Sequence, residues 1–105
     1  MSDIQKWKPC TDSTASNMTY KVGVVYPSYD QLVRLFGAPT SNGDPFKTDA
    51  MWDIEFSDGT VATIYNWKNG PAFGGPPVEQ ITTWNVGGHG PKALTRVRSA
   101  VTSSI

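Results

Sequence analysis

The feature that most constrains the fold is a strict alternation of residue types between positions 52 and 68. In its first half, every second residue is bulky and apolar: Trp52, Ile54 and Phe56. The pair Asp58-Gly59 follows, and this dipeptide predicts a two-residue type I′ turn between two antiparallel strands. The alternation then resumes with β-branched or aromatic residues at every second position, namely Val61, Thr63, Tyr65 and Trp67. We therefore predict a β-hairpin over this stretch.

Two further strands and two helices are predicted around the hairpin. Apolar residues alternate over 19–26 and again over 81–86, which predicts a strand in each segment. Residues 28–36 open on a capping serine and carry apolar side chains at helical spacing, so we predict a short amphipathic helix there. A second helix is expected to begin at Pro91, because proline is well tolerated in the first turn of a helix.

The order strand, helix, strand, strand, strand, helix predicts an α+β fold. We expect one four-stranded antiparallel sheet, with the last three strands as a meander and the first strand beside it, and two helices that cover one face. The 105 residues suffice for one domain. Residues 1–18 are polar and lack an apolar period, so they predict a flexible N-terminal arm before a single domain at 19–105. Trp7, the aromatic residue of this arm, is expected to dock on the domain.

The composition of the chain excludes several kinds of binding partner and site. Nine basic and nine acidic residues give a formal net charge of zero, which argues against binding to long nucleic acids. The chain has no apolar run long enough to span a membrane, and its first residues lack the apolar core of a signal peptide, so an intracellular protein is expected. One cysteine and one histidine cannot build a disulfide framework or a zinc cluster within one chain. We predict no metal site and no cofactor.

A glycine-rich turn before the second helix is the first candidate site. Free backbone amides and the helix dipole suit such a position to an anion, and basic side chains follow one turn apart on one helix face. The spacing matches neither a Walker motif nor a dinucleotide fingerprint. An ordinary tight strand-to-helix turn explains the same residues, and this alternative stays open. The residues assigned to a phosphate here are Gly87, Gly88, His89, Lys92 and Arg96.

An aromatic strand segment is the second candidate site. Tyr65 and Trp67 could stack on a base, while Asn66 reads a base edge and Lys68 contacts a phosphate. In the alternative interpretation, Tyr65 and Trp67 belong to the core and Asn66 and Lys68 face water. The remaining residues of this predicted ligand site are Trp84, as a further stacking ring, and Lys47, as a polar contact.

Catalysis is the third possibility. His89 could act as a general base, and Asp53 and Glu55 share one face of a strand and could act as a pair. Acidic residues that alternate on a hairpin are more often a solvated face, and the chain shows neither a Ser/His/Asp nor a Cys/His motif. We therefore predict no catalytic residues.

Three motifs in this chain are similar to those of a known group of proteins. They are LFGAP at 35–39, DGTVATIYNWK at 58–68 and WNVGG at 84–88. Over residues 19–101 the chain resembles small phage-encoded proteins of about this length. The resemblance implies an early phage protein that counters bacterial defence, either by sequestering a cyclic oligonucleotide or cyclic ADP-ribose-type immune signal or by blocking a defence enzyme through direct contact.

These observations lead to three functional hypotheses. The first is a non-catalytic sponge that binds a nucleotide-type immune signal, as a homodimer or larger homo-oligomer, in the cytoplasm of an infected bacterial cell. The second is a protein-binding inhibitor of a defence enzyme, of the anti-CRISPR or anti-restriction type, in which the acidic segment 49–58 mimics a phosphate backbone. The third is a small phosphodiesterase that uses His89.

Overall fold

Five strands and two α-helices make up the fold. The structure, a computed structural model, describes residues 7–9, 19–40, 48–67 and 70–103. In chain order the elements are β1 (Trp7–Pro9), β2 (Tyr20–Val25), α1 (Tyr29–Phe36), β3 (Met51–Phe56), β4 (Val61–Tyr65), β5 (Trp84–Gly88) and α2 (Pro91–Ser103). Two single turns of 3₁₀-helix, Pro71–Phe73 and Val78–Gln80, lie between β4 and β5.

The sheet is antiparallel throughout, in the strand order β1-β3-β4-β5-β2. Strands β2 to β5 and the two helices confirm the predicted α+β fold, with β3, β4 and β5 as the meander and β2 beside β5. Strand β1 adds a short fifth strand, in which Trp7 lies opposite Phe56 and Pro9 opposite Ile54. It falls within the segment predicted as a flexible arm, and the other residues of that segment lie outside the described ranges.

Strand β5 differs from its predicted range of 81–86. It begins at Trp84 and continues through Gly87 and Gly88, which were expected to form a loop. The strand extends because β5 lies between two neighbours: Gly88 is opposite both Ala62 of β4 and Tyr20 of β2. Pairing on both sides satisfies backbone hydrogen bonds that a loop would leave to water.

Local sequence signals fix the ends of α1 as predicted. The Ser28 side chain accepts a hydrogen bond from the Gln31 backbone amide at 3.1 Å, which satisfies one of the free amides of the first turn. At the other end, Gly37 has a φ of 82°, and its amide donates to the Val33 carbonyl at 2.8 Å. A positive φ at this position favours glycine, so the helix ends there.

Both helices pack on one face of the sheet, around a pair of buried indole rings. Trp52 and Trp84 are 0% exposed and meet edge to face, with ring centroids 5.5 Å apart. Tyr29 of α1 lies 5.9 Å from the Trp52 ring, and the Trp52 indole donates a hydrogen bond to the Gly37 carbonyl at 2.9 Å. The other buried side chains of α1 and α2 complete this core: Leu32, Phe36, Ala93, Val97 and Ala100.

The opposite sheet face carries no packed helix among the described residues, and we call it the helix-free face. Strand alternation and register place Met51 and Asp53 of β3, Thr63 and Tyr65 of β4, and Asn85 of β5 on it. No helix in the described part of the chain is long and apolar enough to cross a lipid bilayer.

Candidate functional site

A groove of about 280 Å³ lies on the helix-free face. Tyr65, Trp67 and Gly87, three of the residues assigned to ligand binding from the sequence, line it together. The other lining residues were not predicted as part of a site: Thr19, Tyr20, Thr48, Met51 and Thr63. The alternation of β4 was a usable signal for Thr63, since a residue two positions before Tyr65 must share its face.

Tyr65 and Trp67 form an aromatic wall of this groove. Their ring centroids are 6.4 Å apart, and the ring planes meet at 85°, the edge-to-face arrangement that aromatic pairs favour. The Trp67 side chain is 42% exposed and Tyr65 is half-buried, so these rings are not part of the core under the helices. Burial raises the pKa of the Tyr65 hydroxyl, which therefore remains a neutral hydrogen-bond donor at physiological pH.

Asn66 is part of the structural framework, and its predicted role as a reader of a base edge is wrong. The side chain is 0% exposed. Its carbonyl oxygen accepts from the backbone amides of Asp49 at 2.7 Å and Ala50 at 3.1 Å, and its amide nitrogen donates to the Asp49 carboxylate at 2.9 Å. These three bonds tie the end of β4 to the segment that enters β3, and they leave the amide inaccessible to a ligand.

Trp84 is likewise unavailable for stacking on a ligand. Its ring is 0% exposed, between Trp52 and Tyr29 on the face that the helices cover. Its indole nitrogen is buried without a hydrogen-bond partner in the described part of the chain. Trp84 lies in a strand, as the alternation predicted, but its side chain is on the face of the sheet that the helices cover.

Gly87 and Gly88 are explained by close packing. A Cβ at Gly88 would collide with the Cβ of Ala93, so this glycine lets the first turn of α2 approach the sheet. A Cβ at Gly87 would lie 2.5 Å from the Thr63 hydroxyl oxygen, on the floor of the groove. Neither glycine needs a phosphate to account for it, and because both are paired within β5, neither belongs to a turn.

The predicted phosphate residues Lys92 and Arg96 meet a carboxylate from the hairpin turn. The Arg96 Nε and Nη2 atoms lie 2.9 and 2.6 Å from Asp58 Oδ2, and the Lys92 Nζ atom lies 3.4 Å from the same oxygen. We call Asp58, His89, Lys92 and Arg96 the turn-end cluster. Both basic side chains share one face of α2, as predicted, but Asp58 partly neutralises them.

Hydrogen bonds keep the Asp58 carboxylate ionised. Those from Thr60 and Arg96 hold the pKa of Asp58 well below its usual range. The Thr60 backbone amide donates to the other carboxylate oxygen at 3.0 Å. His89 is an exposed member of this cluster, and its backbone carbonyl accepts a hydrogen bond from the Tyr20 hydroxyl at 3.4 Å.

The groove and the turn-end cluster are separate sites within one copy of the chain. Val61 borders the depression beside Lys92, and Tyr65 lies four residues further along the same strand, which is about 13 Å of extended chain. The cluster also lies beside α2, whereas the groove is on the opposite face. The predicted single site, with a stacked base and bound phosphate, is therefore divided in two. Lys47 and Lys68, assigned to the same ligand, lie outside the described residues.

The acidic residues of the hairpin are not a uniformly solvated face. Asp53 and Glu55 are half-buried, and the Asp53 Oδ1 atom is buried without a hydrogen-bond partner among the described residues. Burial raises the pKa of Asp53. In the same described ranges, no three His, Cys, Asp or Glu side chains converge as a group that could hold a metal ion.

Comparisons with known proteins give no match: no family model, no curated protein and no solved structure is similar to this chain.

Proposed function

We propose that this protein binds a nucleotide-type small molecule without transforming it, with a planar ring held in the groove on the helix-free face. The observation that carries the proposal is the edge-to-face pair of half-buried Tyr65 and exposed Trp67 that lines this groove. Aromatic side chains are the usual platform for a base, because every base has a π-face to stack on. An exposed apolar patch with polar residues around it often marks a ligand-binding groove.

The rest of the groove suits the polar edge of such a ring. Thr48 and Thr63 also line it, and each supplies a hydroxyl group from a nearly fully buried residue. A hydroxyl group can both donate and accept a hydrogen bond, as the mixed edge of a base requires. The neutral Tyr65 hydroxyl adds a further donor.

The size of the groove bears on the ligand and on the assembly. Its volume of about 280 Å³ is at the lower end of the roughly 300–1,000 Å³ typical of small-molecule pockets. One ring system fits, whereas a cyclic dinucleotide or a cyclic ADP-ribose-type signal would extend beyond it. We propose that a second copy of the chain covers the remainder, so that the ligand is bound between subunits of a homo-oligomer.

The biological role follows from the resemblance of the sequence motifs. A small phage protein that binds a nucleotide signal tightly, without degrading it, would lower the free concentration of that signal in an infected bacterial cell. We propose this counter-defence role, in the host cytoplasm, as the function of the groove. A binder needs no catalytic constellation, in keeping with a chain that has a single histidine.

A ligand panel followed by two matched variants tests the proposal. Thermal unfolding is recorded with cyclic di- and trinucleotides, cyclic ADP-ribose isomers, mononucleotides and NAD. A ligand at 100 times its Kd adds about 2.7 kcal/mol of stability, which corresponds to a shift of about 10 °C or more for a domain of this size. Recovery of the ligand unchanged distinguishes binding from turnover.

The variant Trp67→Ala should weaken the ligand identified in this panel by about 5- to 150-fold, since a base–aromatic contact contributes about 1–3 kcal/mol. Tyr26→Ala is the matched control, because Tyr26 is 70% exposed and does not line the groove. Equal affinity of the two variants, or a panel in which no compound shifts the unfolding temperature, would overturn the proposal. In the second case, the direct inhibition of a defence enzyme becomes the better hypothesis.

A further inference from the structure

The turn-end cluster brings two cations from a helix onto one carboxylate oxygen from a separate hairpin. Lys92 and Arg96 are four residues apart on α2, and Asp58 lies in the turn between β3 and β4. Three nitrogen atoms surround Asp58 Oδ2 at 2.6 to 3.4 Å. Charged donors that converge in this way define a position where a small anion is stabilised, and a side-chain carboxylate now occupies it.

The helix itself strengthens this position. The first turn of α2 has no acidic side chain, so the positive end of its dipole is not balanced from within the helix. Asp58 supplies the negative charge from outside. The dipole and the two cations therefore attract any anion that can reach them, and Asp58 has the advantage of being tethered nearby.

Space for an anion lies next to Lys92. A depression of about 290 Å³ is lined by the backbone of the hairpin turn on one side and by the start of α2 on the other. Lys92 and His89 both border it. Lys92 thus contacts Asp58 and faces a free volume large enough for a tetrahedral anion.

The Asp58 contacts are of a kind that a stronger anion can replace. Asp58 and Lys92 have side-chain exposures of 32% and 62%, so water already solvates both charges and their attraction is weak. Arg96 is held more firmly, at 29% exposure, and presents two parallel donors. A guanidinium group of this geometry suits the oxygens of a phosphate as well as those of a carboxylate.

We propose that Lys92 and Arg96 form a binding site for a phosphate-type dianion and that Asp58 is a built-in competitor, which such an anion must displace. This site goes beyond the proposed function, because none of the residues that line its depression also lines the groove. The charge and the concentration of the anion set the occupancy of this site, because a singly charged anion binds too weakly to displace Asp58.

Titration with inorganic phosphate, followed by NMR or calorimetry, tests this proposal in the full-length chain. Asp58→Asn removes the competing charge, while its amide oxygen can still accept the hydrogen bond from Thr60. We expect Asp58→Asn to bind phosphate at least tenfold more tightly than the unmodified protein. Adding Arg96→Ala to Asp58→Asn should abolish that gain.

Glu55→Gln is the matched control, since it removes one negative charge from the same hairpin without a contact to Lys92 or Arg96. Its phosphate affinity should stay within twofold of the unmodified protein. If Asp58→Asn gains no affinity, or if Glu55→Gln gains as much, Asp58 acts only as a link between the turn and the helix and the proposal is wrong. Phosphate carries no ring, so the result does not depend on Trp67, and the test is independent of the groove.

Discussion

Replacing Asn66 separates its structural role from the ligand-binding role that the sequence suggested. Asn66→Ala removes three hydrogen bonds and leaves the buried amide of Ala50 and the part-buried amide of Asp49 without their acceptor. An unsatisfied buried group costs about 1–3 kcal/mol, so we expect a loss of about 2–4 kcal/mol from the free energy of unfolding. At about 4–8 °C per kcal/mol, the unfolding temperature should fall by roughly 10–30 °C. This is a large share of the roughly 5–15 kcal/mol that stabilises a typical domain.

Urea and thermal unfolding of Asn66→Ala and Asn85→Ala give the comparison. Asn85 is half-buried in the neighbouring strand and has no side-chain hydrogen bond among the described residues, so its replacement should cost less than about 1 kcal/mol. If both variants unfold at the same urea concentration, the bonds of Asn66 do not hold β3 and β4 together and the reasoning fails. The ligand-reading hypothesis predicts the opposite pattern, with unchanged stability and lost binding.

Two further perturbations follow from packing and from burial. Gly88→Ala should lower the free energy of unfolding by about 1–3 kcal/mol in urea, because the new methyl group meets Ala93. Gly90→Ala places its methyl group in open space and should be nearly neutral. Equal losses of stability in the two variants would contradict the close approach of α2. Burial raises the pKa of Asp53 above its ordinary value of 3.8, so the native state disfavours the ionised form and Asp53 lowers stability once the pH exceeds that value. Asp53→Asn should therefore raise the free energy of unfolding at pH 7, and this gain should disappear below about pH 3.8. A gain that persists in acid would refute this explanation, as would an equal gain in the control Glu55→Gln.

The hairpin shows what alternation predicts and where it stops. Alternation predicted the two strands correctly. It did not show which face of the second strand packs in the core, because both faces carry apolar side chains. The face is decided by pairing across the turn: the Phe56 amide donates to the Thr60 carbonyl at 2.8 Å, which aligns Trp52 with Ile64. Ile64 therefore joins the core and Tyr65 faces the groove. The predicted two-residue turn at Asp58-Gly59 would instead have aligned Trp52 with Tyr65. The observed turn has three residues, 57–59, with Gly59 at a φ of 89°, so the register differs by one residue from the one that the predicted turn gives.

The division of the predicted ligand site was not within reach of the sequence. Lys92 and Arg96 were recognised as a pair from their helical spacing, which is a local property. Their contact with Asp58 joins residues from two elements distant in the chain, and it depends on how closely α2 approaches the end of the hairpin. Gly88, which permits this approach, was assigned to phosphate binding because a glycine needed for a ligand and a glycine needed for close packing look the same in the sequence.

The position of β2 at the far edge of the sheet has a consequence for how the chain folds. Its partner is β5, which is made after every other strand, so the contacts of Tyr20 with Gly88 and of Val25 with Trp84 close nearly the whole length of the domain. The hairpin of β3 and β4 is local and can form as soon as it leaves the ribosome, but β2 must wait until β5 is synthesised. Long-range closures of this kind slow folding. Completion of the core therefore depends on the last quarter of the chain, and a nascent chain that stops before β5 leaves β2 without its partner strand and Tyr29 of α1 without Trp84.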